Sequence, residues 1–328
     1  MDFTQKIDYS SLSSYIDCPR KFFFQYMLHL RPTSANLDLV FGSCWHYGLE
    51  CAYKQLMIDP DTDPSDLIKI SSAGFLALWE IEGTSFNEEL SFPKSPGNAL
   101  NMYHKYFTSV YTKDKNIKII GVETPFVISL GDGLPYYTGR LDLTSIKNDD
   151  SVIITDHKTA KYVNETTLAG YDSSFQTDGY LAAGYLYYDK LPTIIYSVAQ
   201  VAKTKNDFFN HTVMKSKSLI DRSLHDISFW VRRLLDDIEK YNNEIYDVDV
   251  AYEKGEKSFM LDRNYIQKSV HRAPGYACTQ YFRKCSYFDI CHSRNNAITY
   301  ANKTPQGYIV YEWDPDKHND EMKSKLEG

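Results

Sequence analysis

The sequence predicts an α/β fold on three observations: helical apolar periodicity early in the chain, β-branched runs after Asn116, and a return to helical periodicity from Leu224. From Ser11 to about Leu28 and from Leu39 to about Leu56, apolar residues recur at three- and four-residue steps, so two early amphipathic helices are expected. Ser65 to Glu82 and Ala99 to Val110 read the same way, with Pro93 and Pro96 breaking the stretch between them. After Asn116, the stretches Ile117 to Leu130, Tyr136 to Ile146 and Val152 to Thr155 are separated by Gly-Asp-Gly and Asn-Asp-Asp turns. Three strands joined by hairpins follow from that pattern. A helix from about Ser174 to Tyr188 comes next, then strand-like runs at Thr193 to Val201 and Phe208 to Met214. In the last helix, Leu224, Ile227, Val231, Leu234 and Ile238 hold one apolar stripe.

Bulk properties limit what such a fold can do. A chain of 328 residues that is 43% apolar and 15% aromatic can bury a sizeable core without disulfide staples. No repeat, low-complexity tract or Pro/Gly-rich linker divides it. One domain over residues 1–301 is therefore expected, with its core at about 115–215 and a polar tail at 302–328. There is neither a basic, apolar leader nor an apolar run of about eighteen residues, so a cytoplasmic protein without a membrane partner is expected. The net charge of −7 argues against general adhesion to nucleic acid. Any contact with DNA must then be local, at basic patches such as Arg20 and Lys21, Lys113, Lys115 and Lys118, Lys158 and Lys161, or Arg232 and Arg233. Such patches are more often solvated surface than binding sites.

The polar residues of the central strands carry the chemistry. Asp142 closes Gly139-Arg140-Leu141-Asp142 in the second strand, and Asp156-His157-Lys158 ends the third. A hairpin brings the two acids together, and paired carboxylates at strand ends repel one another unless they share a cation. Lys158 lies two residues beyond Asp156, which on a strand places both side chains on one face. A bound metal would lower the pKa of an attacking water, and the ammonium would orient that water or neutralise developing charge. Read alone, Asp142 and Asp156 are usually no more than turn or surface carboxylates and Lys158 a solvated charge, and His46 on an apolar helix is by itself an ordinary core histidine. Glu50 shares the face of His46. Gln176 and Tyr180, one helical turn apart, are placed to reach a substrate phosphate or to hold Lys158.

Taken in order, Gly42-x3-His46, Gly139-Arg140-Leu141-Asp142, Asp156-His157-Lys158 and Gln176-x3-Tyr180 resemble the RecB-type branch of the PD-(D/E)XK nuclease superfamily. The resemblance covers roughly Ser10 to Cys291, with Leu141 standing where the superfamily has its proline. It implies a restriction-endonuclease-like core, a mixed central sheet flanked by helices, with a helical N-terminal part and a C-terminal cysteine-cluster segment. It further implies that His46, Asp142, Asp156 and the backbone carbonyl of His157 hold Mg or Mn. Asp142, Asp156 and Lys158 would be catalytic, with Gln176 and Tyr180 beside them. Glu123 is a further carboxylate that would face the metal or support its ligands. A nitrogen ligand such as His46 should favour Mn.

Four cysteines complete the pattern: Cys18 in Tyr15-x2-Cys18-Pro19, and Cys278, Cys285 and Cys291 near the other end. Four thiolates suit zinc or an iron-sulfur centre equally, and core thiols are the third option. The resemblance extends to the iron-sulfur subgroup that includes the AddB nuclease domain, CRISPR-associated adaptation nucleases and phage exonucleases, which implies a [4Fe-4S] cluster. The six residues between Cys278 and Cys285 depart from the two that are usual there. Cys44 and Cys51 read as small core residues. No Gly-x4-Gly-Lys-Ser/Thr loop is present, so the chain carries no nucleotide-driven motor of its own. The expected function is a metal-dependent DNA exonuclease that prefers single strands or ends and serves recombination, repair or CRISPR adaptation, with a helicase or adaptation protein as possible partner. The alternatives are a noncatalytic module that binds DNA ends or assembles a complex, and a zinc-stapled structural protein.

Overall fold

The computed structural model describes residues 2–111, 117–203, 205–253, 268–273, 275–279, 283–293 and 304–312. Lys113 and Lys115 of one basic patch, and residues 302–303 and 313–328 of the expected tail, lie outside the described residues. The fold is a mixed α/β architecture whose chain forms two compact units.

The larger unit comprises Ala35–Ile128 and Thr138–Leu224 and holds the central sheet. Strands β3 (Ile117–Ile128), β4 (Tyr136–Lys147), β5 (Val152–Ala160), β6 (Thr193–Gln200) and β7 (Asp207–Val213) stand in that spatial order. β4 pairs antiparallel with β5, β5 parallel with β6, and β6 antiparallel with β7. The parallel pair is the one that needs a crossover, and α8 (Phe175–Tyr188) supplies it. Ser174 caps α8, its hydroxyl accepting the Gln176 N–H, while Asp189 ends it in the left-handed region.

The alternation of β5 decides which helix covers which side. Ile154 approaches Gly184 of α8 and Asp156 meets Tyr180 of α8, whereas Thr159 faces Gly42 and His157 stacks on Tyr53. Gly42 and Tyr53 belong to α3 (Leu37–Ile58), so α8 and α3 serve opposite faces of β5. α3 buries Phe41, Cys44, Trp45, Gly48, Leu49, Ala52, Tyr53 and Leu56, a stripe at helical spacing. It packs on α4 (Pro64–Glu82), which in turn meets α6 (Pro96–Lys105). The short α5 (Glu88–Ser91) fills the stretch that proline was expected to leave irregular.

The smaller unit gathers Met1–Ser34, Ser129–Tyr137 and His225–Lys325. β1 (Lys6–Asp8) leads into α1 (Tyr9–Asp17), where Asp8 and Ser11 form a reciprocal capping box. The single helix expected from Ser11 to Leu28 is broken at Cys18, which is extended at φ −166°. Pro19 explains the break, because its ring disfavours helical geometry in the residue before it. α2 (Pro19–Phe22) and a π-turn (Phe23–Met27) follow. β2 (Leu30–Pro32) pairs antiparallel with β8 (Tyr308–Val310), so part of the stretch expected as tail is a strand. Phe23, Phe24, Leu30, Tyr241, Val270, Tyr287 and Ile290 form this unit's buried cluster. Tyr241 comes from α9 (Lys217–Glu253) and Ile290 from α10 (Phe288–Ser293).

Candidate active site

The site is built where β4 and β5 part. Their ladder runs from Ile146–Val152 to Leu143–Thr155 and stops there. One step further, the N–H of His157 donates not to a strand carbonyl but to Oδ2 of Asp142, at 2.9 Å. A carboxylate thus takes a ladder position, and the strand ends splay around it. Gly139 sets the approach on β4, since a Cβ there would lie 2.5 Å from the Phe126 ring.

The same Oδ2 lies 3.2 Å from Nδ1 of His46, which α3 presents. On β5, Nζ of Lys158 stands 2.8 Å from Oδ2 of Asp156 as an ion pair outside good hydrogen-bonding alignment. Asp156 Oδ1 accepts from the Tyr180 hydroxyl at 3.1 Å, and that hydroxyl accepts from Nε2 of Gln176 at 2.8 Å. Residues from α3, β4, β5 and α8 therefore meet in one place. Gln176 and Tyr180 orient Asp156 rather than holding Lys158, a relay that only the partner's identity reveals. The Asp156 side chain is 1% exposed and that of Asp142 14%, against 26% for Lys158 and 30% for His46. The two acids are thus the more buried of the four side chains, and Lys158 and His46 the more exposed.

Electrostatics follow from that layering. Burial alone would raise the Asp142 carboxyl, but the charges of His46 and Lys158 outweigh it and hold it well below the usual range. Burial opposes protonation of His46, and Asp142 overrides it, so the imidazole rises above its ordinary value. Burial likewise works against the Lys158 ammonium, and Asp156 and Asp142 carry it upward. For Asp156 burial wins, keeping its carboxyl above the ordinary range despite Lys158. Burial, then Asp142 and Glu50, push Glu123 up to about 8. Glu123 sits at φ 50° within β3, a left-handed conformation costly for a side-chain-bearing residue and a local kink that re-aims it. Arg140 Nη1 stands 3.8 Å from its carboxylate. Glu50, which shares the helix with His46, pairs instead with Lys54.

The donor set fits a divalent cation by its chemistry: one imidazole and hard carboxylate oxygens, with Glu123 pushed up to about 8 first by burial and then by Asp142 and Glu50. Among the described residues, no three His, Cys, Asp or Glu side chains already close up as ligands of one ion. His46 and Lys158 balance the acids in this arrangement.

His157 holds a feature that the motif spacing does not reveal. Its ring is 3% exposed, stacked on Tyr53 with centroids 5.4 Å apart, and neither nitrogen has a hydrogen-bond partner among the described residues. Burial lowers its pKa from 6.5 to about 4. Because the folded value is depressed, the unfolded chain binds the proton first: this position's stability is complete above about 6.5 and is lost as pH falls toward 4. The contact that matters to Asp142 is the backbone N–H. His157→Phe should therefore keep cleavage, raise stability by about 1 kcal/mol at neutral pH by removing an orphaned polar ring, and flatten the acid-side loss. Thermal melts between about pH 4 and 7 check this. A lower melting temperature at pH 7 would refute it.

The four cysteines lie in the smaller unit. Cys18 is buried, and its Sγ accepts the Ala273 N–H at 3.4 Å. The Cys285 N–H donates to the Cys278 carbonyl at 2.9 Å. Burial raises the Cys285 thiol, with Cys18 and Cys278 adding their charge and Lys21 opposing. Burial also raises Cys291, which feels Cys18 on one side and Arg20 and Arg272 on the other. Cys285 thus feels Cys18, Cys278 and Lys21, and Cys291 feels Cys18, Arg20 and Arg272, but among the described residues these thiols do not close up as ligands of one ion. Cys44 is fully buried in α3.

A mixed sheet with two acids, a lysine and a histidine at a splayed strand end defines a class of phosphodiester-cleaving fold. The family model of the PD-(D/E)XK nuclease superfamily matches residues 7–292, and the chain belongs to that superfamily. Comparison with curated proteins returns no match. Among solved structures, the chain is similar to a candidate exonuclease from Eubacterium rectale at 12% identity and a TM-score of 0.38, covering 71% of this chain and 80% of that one. It is also similar to the protein SSO0001 at 14% identity and a TM-score of 0.29, covering 69% and 77%. No helix among the described residues is long and apolar enough to cross a membrane.

Proposed function

We propose that the chain is a metal-dependent DNA exonuclease acting on single strands or ends. The observation that carries this reading is the convergence of His46, Asp142, Asp156 and Lys158 where β4 and β5 part. His46, Asp142 and Asp156, with the His157 carbonyl, would hold Mn or Mg. When bound, such an ion makes water nucleophilic and stabilises charge on the phosphate. The protein supplies the rest. Lys158 offers an ammonium to the developing negative charge, Asp156 holds that ammonium, and the Gln176–Tyr180 pair fixes Asp156. Cys18, Cys278, Cys285 and Cys291 would carry a [4Fe-4S] cluster that braces the smaller unit, with zinc as the competing occupant.

End-labelled linear and circular single-stranded DNA of one sequence test this reading. The linear form should be degraded with Mn at a higher rate than with Mg, and the circle should resist. Equal rates with Mg would count against His46 as a ligand, and cleavage of the circle would make the enzyme an endonuclease.

A further inference from the structure

β5 and β6 are the parallel pair of the sheet, and their carboxyl ends lie side by side: Ala160 registers with Gln200. In open α/β sheets this is the edge at which ligands are bound. Here the chain leaves β5 as Lys161-Tyr162 and leaves β6 toward Lys203, and all three side chains are exposed. Tyr162 is 65% exposed, and Nζ of Lys161 lies 5.2 Å from its ring centroid. One face of the phenol thus carries a cation. No acidic partner for Lys161 or Lys203 occurs among the described residues.

The step that presents Tyr162 is held at both ends. The Val201 N–H donates to the Ala160 carbonyl at 2.8 Å, and Nε2 of Gln200 donates to the Lys161 carbonyl at 3.2 Å. On the other side Asn164 caps α7 (Glu165–Asp172), its side chain accepting the Thr167 N–H. A pinned backbone that displays an aromatic ring is preorganised for stacking. Tyr162 is four residues beyond Lys158 in the sequence, at most about 14 Å along an extended chain and within a few nucleotides of the proposed cleavage point.

We propose that Lys161 and Tyr162 form a stacking platform for a base of single-stranded DNA, with Lys161 and Lys203 receiving the flanking phosphates. Tyr162 is then a substrate-positioning residue. The inference rests on the nuclease reading and adds a subsite that selects unpaired bases. Stacking on an aromatic ring is indifferent to sequence but requires a base free of its duplex partner.

The test compares wild type, Tyr162→Ala, Tyr162→Trp and Lys161→Ala on linear single-stranded DNA with Mn, and by fluorescence anisotropy with EDTA present. Tyr162→Ala should raise KM and weaken binding about tenfold, with kcat within about twofold and melting temperature unchanged, and Tyr162→Trp should restore both. An oligonucleotide with abasic sites near its end should bind wild type and Tyr162→Ala equally, which a merely structural role would not produce. Lys161→Ala should weaken binding and reduce its salt dependence. If wild type cleaves DNA while Tyr162→Ala keeps its KM, or if abasic substrate still distinguishes the two proteins, the platform is refuted and the nuclease reading survives. If wild type neither binds nor cleaves, both fall.

Discussion

Asp156→Asn is expected to abolish cleavage, by at least about a thousandfold or roughly 4 kcal/mol of transition-state stabilisation, while the protein stays folded. The substitution conserves shape and removes the charge that pairs with the Lys158 ammonium. Asp156 is the most buried of the acids, it holds the Lys158 ammonium at 2.8 Å, and it receives the Tyr180 hydroxyl. The carboxamide oxygen of the variant could still accept from Tyr180, so α8 keeps its seat and the circular dichroism spectrum should not change. Lys158→Ala removes the ammonium together with its alkyl stem and should cost about a hundred- to a thousandfold. Tyr180→Phe, acting through Asp156, should cost far less. Were Asp156→Asn to degrade labelled single-stranded DNA like wild type, the cleavage would come from a contaminant, and a noncatalytic DNA-binding module would remain.

Cys285→Ser is expected to act on stability before chemistry. Cys18 and Cys278 lie 260 positions apart in the sequence, and joining them through one centre restricts the unfolded chain by roughly 5 kcal/mol as an upper figure. Lys21 lies within electrostatic reach of Cys285, and Arg20 and Arg272 within reach of Cys291, so the proposed anionic centre would also offset those cations. The melting temperature should fall by on the order of 5–10 °C, and activity at low temperature should survive in the fraction that remains folded. Anaerobically purified wild type should be brown and the variant bleached, whereas a zinc centre would be colourless in both. An unchanged melting temperature would rule out a structural cluster.

Much of this arrangement was legible in the residues. The Asp142 and Asp156-His157-Lys158 motifs, and the strands that bear them, follow from β-branched runs and hairpin turns, because each strand is marked locally. β5 runs beyond Thr155 to Ala160 although its later residues are polar, since Asp142 takes the His157 N–H, Tyr180 reaches Asp156, and the parallel partner β6 pairs along its backbone. Those partners are remote in sequence, so local propensity could not show it. α7 buries none of its side chains and leaves no apolar rhythm to read. β2 and β8 pair across 276 residues, 32 to 308, as three-residue strands, a length without periodicity. The kink at Glu123 is invisible for the same reason: nothing about a glutamate in a strand announces a positive φ.

His46, Asp142 and Asp156 are proposed to share one divalent ion. Manganese titration followed by electron paramagnetic resonance, on wild type and on the Asp142→Asn and His46→Ala variants, addresses it without any cleavage assay. A single tight Mn per chain is predicted, with nitrogen coupling that disappears in His46→Ala and affinity that falls by about a hundredfold in Asp142→Asn. Equal Mn affinity in wild type and Asp142→Asn would contradict it.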